Sequence, residues 1–163
     1  MKICDAVEVD LPAIVKIYNS TIPSRMVTAD PEPVSVESRR AWFREHDPER
    51  RPLWVAEADG RVVGWFSFEP FRRKPAYYAT AEVSVYVSEE HRREGVGRRL
   101  LEEAIRRAPG LGLKTLTGGI FGHNEPSIRL FESFWVRALG SLPQSRGARW
   151  CRAGPGRAGP APR

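Results

Sequence analysis

The stretch from Thr80 to Gly97 constrains the fold more than any other part of the chain. Thr80 to Val87 alternates strictly. Val83, Val85 and Val87 fall on one face, and Glu82, Ser84 and Tyr86 on the other, as in a strand whose two faces meet different surroundings. Arg92-Arg93-Glu94-Gly95-Val96-Gly97 then opens an amphipathic segment, Gly95 to Arg107, which Pro109-Gly110 stops. A strand that runs through a glycine turn into a helix needs a second strand for that helix to return to. Lys114 to Ile120 has the composition for it, so the helix is expected to cross over between two strands of one sheet.

The remaining segments fit around this unit. Lys2 to Glu8 alternates as a half-buried strand. Asp10 and Pro12 open a helix carrying Leu11, Ile14, Val15 and Tyr18, and Ser35 caps a second helix that places Trp42 and Phe43 inward. Between them Ser20 to Pro33 forms a long loop, of the length that often serves function. Leu53 to Ala58, Asp59-Gly60 and Val62 to Phe68 read as a β-hairpin, because Asp-Gly suits a two-residue turn. Arg72 to Ala76 is a basic, proline-containing loop, and Pro126 to Phe134 opens a last helix. Trp42, Trp54 and Trp65 read as core. The order is strand, two helices, three strands, helix, strand, helix, which makes a mixed α/β sheet.

The glycine turn carries the chemistry. A helix start presents backbone N–H groups without partners and a partial positive charge. Glycines let a phosphate come close to those groups, and Arg92, Arg93, Arg98 and Arg99 add charge around them. The spacing therefore describes a pyrophosphate site. No Gly-Lys-Ser/Thr follows, which removes the P-loop. The third glycine of the dinucleotide fingerprint is absent as well.

The six residues resemble the Arg/Gln-x-x-Gly-x-Gly/Ala signature of the GNAT acetyltransferases. Three further segments bring the phosphinothricin N-acetyltransferase-like branch closest: Arg25-Met26-Val27-Thr28-Ala29-Asp30, Ala81 to Val87, and Gly122-His123-Asn124-Glu125-Pro126-Ser127. The resemblance spans roughly Met1 to Phe134. It implies the GNAT acyl-CoA N-acyltransferase fold, a mixed sheet splayed open between its fourth and fifth strands with acetyl-CoA as cosubstrate in the splay. It further implies that the backbone of Val85, Tyr86 and Val87 pairs with the pantetheine arm. Arg92, Arg93, Glu94, Gly95, Val96, Gly97 and Arg98 would hold the pyrophosphate, and Asn124 and Ser127 would reach the cofactor from the next turn. Asn124 can equally be a helix cap.

Free amines have pKa values of roughly 8 to 10, so acetyl transfer needs a base. Glu82 is that candidate, by its place on the strand and by resemblance; the alternative is a glutamate facing solvent or an arginine. A backbone N–H near Val83 to Val85 could steady the carbonyl oxygen. Many relatives carry a tyrosine in the last helix to protonate the leaving thiolate. Phe131 stands there, which leaves solvent or another group to do it. Arg72, Arg73 and Tyr77 could hold an acceptor carboxylate, or the loop could simply be solvated. The implied function is an N-acetyltransferase acting on the amine of a small molecule, of the phosphinothricin or methionine sulfone kind. The alternatives are a protein or peptide N-terminal acetyltransferase and a CoA-binding pseudoenzyme.

Composition narrows the partners. The 163 residues carry a net charge of +6, but six of the 26 basic residues lie in Arg137 to Arg163, which holds no acidic residue. The preceding part carries 20 of each sign, so a basic nucleic-acid-binding face is not expected. No apolar run approaches a membrane span, and Met1 to Asp10 is no secretory signal. Cys4 and Cys151 form no metal-ligand spacing with His46, His91 or His123. No metal is therefore expected, and a reducing cytoplasm fits. Relatives of this branch are often dimers, so a homodimer is an open expectation.

From Trp135 the composition turns to Arg, Gly, Pro and Ala. Residues 1–134 are expected to form the acetyltransferase domain. Residues 135–163 are expected to be an aberrant, disordered tail, with the family's last strands missing. One extra base near the codons of Phe134 and Trp135 accounts for the change. Read one base later, permissible codons for Ser145 to Gly159 spell VAELDGVERDLVVLG, a strand, an Asp-Gly turn and a strand. The chain as written is then expected to be less stable and less active than the restored one.

Overall fold

The computed structural model describes residues 1–134 and the backbone of 137–141 and 148–153. Among these residues the elements run β1 (Lys2–Asp5), α1 (Leu11–Thr21), α2 (Val36–Arg44), β2 (Leu53–Ala58), β3 (Arg61–Pro70), β4 (Thr80–Val87), α3 (Val96–Arg107), β5 (Thr115–Phe121), α4 (Glu125–Glu132), β6 (Arg137–Ser141) and β7 (Ala148–Ala153). They form one mixed sheet in the order β1-β2-β3-β4-β5-β7-β6. Strands β1 to β4 are antiparallel neighbours, and β4 and β5, joined through α3, are parallel.

Local chemistry explains most boundaries. Ser35 accepts a hydrogen bond from the Ser38 N–H (3.0 Å) and so caps α2. Asp59 and Gly60 both take left-handed φ, 50° and 71°, the pair that a two-residue hairpin turn requires. Strand β1 is shorter than its alternation suggests. It ends at Asp5, and Glu8 to Asp10 coil into a 3-10 turn. Asp10 precedes α1 without a side-chain cap bond to it; its carboxylate instead accepts from the Val7 N–H (2.9 Å).

Apolar side chains cover both faces of the sheet. Trp54, Phe66, Phe68, Ala81 and Val83 pack against Leu100, Leu101 and Ala104 of α3 and Ile128 and Phe131 of α4. On the other face Leu53, Val55 and Trp65 pack against Ile14 and Ile17 of α1. Each large side chain buried this way contributes roughly 1.5–3 kcal/mol.

The expectation that no strands follow residue 134 is corrected over two stretches. β7 pairs antiparallel with β5 from Leu116↔Ala153 to Phe121↔Ala148, and β6 pairs with β7. Ladder bonds are made by backbone, and the outer edge of β5 offers a row of N–H and C=O groups to any chain that can extend. Residues 135–136, 142–147 and 154–163, on which the rest of the tail expectation falls, lie outside the described residues.

Candidate active site

The parallel ladder between β4 and β5 is short. Thr80, Ala81 and Glu82 pair with Thr115, Leu116 and Thr117, and pairing stops there. The Thr117 hydroxyl donates to the Ala81 carbonyl (3.2 Å) as a last tie. Beyond that point Val85, Tyr86 and Val87 keep their β3 partners Phe66, Trp65 and Gly64 on one side. On the other side they have no strand partner among the described residues, while β5 turns to β7. A fork lined by backbone donors and acceptors therefore opens beyond Glu82. An amide-bearing chain can satisfy such groups as a strand would.

The mouth of the fork is the glycine turn. Arg93 and Gly95 both have left-handed φ, 68° and 82°, and Gly95 directly precedes α3. Successive N–H groups in such a turn, backed by a helix start, converge as an anion cradle. Arg92, Arg93, Glu94 and Arg98 are exposed around it. Arg92 is ion-paired with Glu89 (3.4 Å), and the Arg98 guanidinium lies 5.2 Å from the Phe134 ring centre. The Val96 side chain is buried in the core, so this residue offers the turn only its backbone. Gly97 lies against Leu130 and Val87, where an added Cβ would come within 3.3 Å of Leu130. The fork and the cradle together fit a ligand with a pyrophosphate at one end and an amide-containing arm, which is the shape of coenzyme A.

Asn124, 6% exposed, follows β5. Its Oδ1 accepts from the Ser127 N–H (3.2 Å), so its oxygen caps α4. Phe131 is buried against Gly118, whose Cα it approaches so closely that an added Cβ would lie 2.9 Å from its ring.

Glu82, at the apex of the fork, is half-buried. Burial raises its carboxyl above the ordinary range, and the charge of Glu69 adds to the rise. The pair follows from register: Glu69 of β3 is the direct cross-strand partner of Glu82 and shares its face. The Glu69 carboxylate accepts from the Trp42 indole N–H (3.2 Å) and the Ser67 hydroxyl (3.5 Å).

That face looks onto a cavity of about 160 Å³, walled by Tyr18 of α1, Arg39 and Trp42 of α2, Trp65 and Glu69 of β3, and Ser84 and Tyr86 of β4. Tyr86 stacks on Trp65, ring centres 4.3 Å apart, so its side chain walls the cavity while its backbone edges the fork. The loop after α1 is pinned over this side. The Tyr18 hydroxyl donates to Asp30 and lies 2.6 Å from both its carboxylate and the Thr28 hydroxyl; Arg39 ion-pairs with Asp30 (3.2 Å). His123 donates to the Arg25 carbonyl (3.0 Å), which ties the loop to the end of β5.

The three residues expected to hold an acceptor carboxylate are placed differently. Arg73 is exposed and paired with Glu45 (2.6 Å). Arg72 sits 5.7 Å from the ring centres of Phe71 and Tyr77, and Tyr77 is itself exposed. None of the three walls the cavity. Glu69, Tyr18 and Arg39 were missed from sequence. The alternation of Arg61 to Pro70 does put Glu69 on the Trp65 face, but nothing in one sequence pairs it with Glu82. Trp42 and Trp65 were read as core; they serve as core and cavity wall at once.

Comparison with known proteins agrees with this geometry. Residues 12–134 match the model of the acetyltransferase (GNAT) family. The chain is 56% identical over 135 residues to YwnH of Bacillus subtilis, covering 82% of either chain. It is 34% identical over 141 residues to the L-methionine sulfoximine/L-methionine sulfone acetyltransferase of Pseudomonas aeruginosa, covering 86% of this chain and 82% of that one. Its fold superposes with a TM-score of 0.86, at 27% identity, on a GNAT superfamily phosphinothricin acetyltransferase from Sinorhizobium meliloti in complex with acetyl-CoA, covering 94% of this chain and 87% of that one. The chain belongs to the GNAT acetyltransferase family.

Proposed function

We propose that this protein acetylates the α-amine of a small polar amino acid of the methionine sulfone, methionine sulfoximine or phosphinothricin kind. The single observation that carries the reading is the place of Glu82. It is a half-buried carboxylate at the apex of the β4–β5 fork, on the same face of β4 as Ser84 and Tyr86 of the cavity wall. The names of the relatives supply the acceptor class.

Acetyl-CoA, when bound, supplies an acetyl group already activated as a thioester. The turn from Arg92 to Arg98 is suited to its diphosphate, and the free edge of Val85 to Val87 and the amide of Asn124 to its pantetheine arm. Ser127 takes part through its N–H at the Asn124 cap. Glu82 removes the proton from the acceptor ammonium, and burial, which raises its carboxyl, makes it a stronger base for that task than an exposed glutamate. The α1–α2 loop, pinned by Asp30 and His123, keeps the amine positioned and shielded. Backbone N–H groups near Val83 to Val85 can steady the carbonyl oxygen as it gains charge. Phe131 has no proton to give, so the leaving sulfur takes one from solvent. Arg72, Arg73 and Tyr77 remain candidates for an acceptor anion only if that loop reorganises. No helix among the described residues is long and apolar enough to cross a membrane, and a cytoplasmic location suits a free Cys4 thiol.

The test is thiol release from acetyl-CoA with methionine sulfone, methionine sulfoximine, phosphinothricin and a short peptide. At least one amino acid should turn over with kcat/KM well above that of the peptide's amino terminus. Preference for the peptide would overturn the reading.

A further inference from the structure

Glu69 and Glu82 face each other across the β3–β4 ladder. Like charges directly opposite on a sheet are destabilising. Among the described residues neither carboxylate is ion-paired, although nine such pairs form elsewhere. Arg39, the cation on the cavity wall, is committed to Asp30. Two carboxylates thus lie side by side across the ladder, one of them, Glu69, on the cavity wall, and no cation of the described residues is ion-paired with either. The wall of the same cavity carries a second unpaired polar group. Trp65, 3% exposed, forms part of its wall, and its indole Nε1 is buried with no hydrogen-bond partner.

We infer that Glu69 is the positioning residue for the acceptor, its carboxylate holding the incoming ammonium beside Glu82 before the proton is taken. The inference rests on the proposed acetylation of amino acids and adds to it a second carboxylate with its own role. The two acids divide the work. Glu82, at the apex of the fork, accepts the proton. Glu69, held by the Trp42 N–H and the Ser67 hydroxyl, keeps the nitrogen in place and keeps the proton affinity of Glu82 high. It touches the substrate's amine, not the thioester. The selectivity that follows is for acceptors that arrive as ammonium ions. An already neutral amine of low basicity gains nothing from Glu69.

Glu69→Gln is a clean probe. Glutamine still accepts from Trp42 and Ser67 through its amide oxygen, so packing is kept while the charge is removed. With the best acceptor of the panel, acceptor KM should rise about tenfold, the size of one lost charge-assisted contact. KM for acetyl-CoA should stay within twofold. The acid limb of kcat/KM should also move to lower pH, because Glu82 loses a neighbouring negative charge. The other ionisable groups around the cavity are Tyr18 from α1, Arg39 from α2, Tyr86 from β4 and Asp30 from the loop, with His46 behind Trp42. None of them changes in this variant. Glu69→Asp should recover part of the KM. If Glu69→Gln melts at the same temperature as the unaltered protein and leaves both acceptor KM and the acid limb unmoved, the inference is wrong and the acetylation reading stands. If the unaltered protein acetylates no amino acid of the panel, that reading falls and takes the inference with it.

Discussion

The two faces of β4 are built to opposite specifications. Ala81 and Val83 are sealed into the core beneath α3 and α4, and Val85 and Val87 pack at its edge. Gly97 and Gly118 let the helices on that side come within contact of the sheet. On the other face Glu82 points to the same side as Ser84 and Tyr86, which border a cavity that α1 and α2 roof without filling. Period-two alternation lets one strand be a core element and a cavity wall in successive residues. The backbone edge of Val85 to Val87, which belongs to neither face, has no strand partner on the β5 side among the described residues. The comparison teaches that stability and chemistry are separated here by side-chain direction, not by distance along the chain.

The sharpest way to break that division is Glu82→Gln. On the cavity face it should lower kcat/KM by about 10²- to 10⁴-fold, the usual range for a lost general base, with no loss of melting temperature. Sign and pH window follow from the raised folded-state carboxyl. Such a group favours its protonated form in the fold. Its contribution to stability is present below the unfolded-state value and is lost as pH rises through the folded-state one. Above the folded-state value the ionised Glu82 therefore weakens the fold, and glutamine should there raise the melting temperature slightly or leave it alone. A fall of several degrees would mean that Glu82 is structural.

Gly118→Ala probes the opposite face. The new Cβ would lie 2.9 Å from the Phe131 ring, which is buried and cannot swing into solvent. Overpacking of this kind costs about 1–3 kcal/mol, or roughly 2–10 °C of melting temperature for a domain of this size. The acceptor KM should barely change, and any rise should be in the KM for acetyl-CoA, through displacement of α4 and its Asn124 cap. A melting curve identical to that of the unaltered protein would show that the apolar face is looser than its packing suggests.

The sequence made one face of this strand far more legible than the other. The alternation of Thr80 to Val87 and the glycine turn made the sheet, the crossover and the helix-opening turn legible, because each is a local device with a fixed spacing. The same alternation together with family resemblance singles out Glu82, and the register sets it at the last β4–β5 pair. Glu69 escaped because its meaning depends on hairpin register. Asp59-Gly60 fixes that register, but the carboxylate pair arises only once β4 is laid beside β3. Arg72, Arg73 and Tyr77 are candidates by their chemistry alone, beside the reading of a solvated loop, and Arg73 is exposed and paired with Glu45. The two strands after residue 134 were illegible because their side chains show no alternation, and backbone pairing along β5 leaves no such trace. The family match also ends at 134, where the composition changes.

The smallest effect is expected at the roof of the cavity. The Tyr18 hydroxyl lies 2.6 Å from both the Thr28 hydroxyl and the Asp30 carboxylate. The ring itself packs beneath Arg39, 4.8 Å from the guanidinium. Tyr18→Phe keeps the ring and removes the tie. Asp30 retains Arg39, and its backbone N–H retains Thr28. The loss should therefore be about 1 kcal/mol, one net hydrogen bond. It should appear as a several-fold rise in acceptor KM, with kcat and the KM for acetyl-CoA nearly unchanged, because the loosened segment roofs only the cavity face. If the KM for acetyl-CoA rises instead, the loop governs the fork as well, and the two faces of β4 do not work independently.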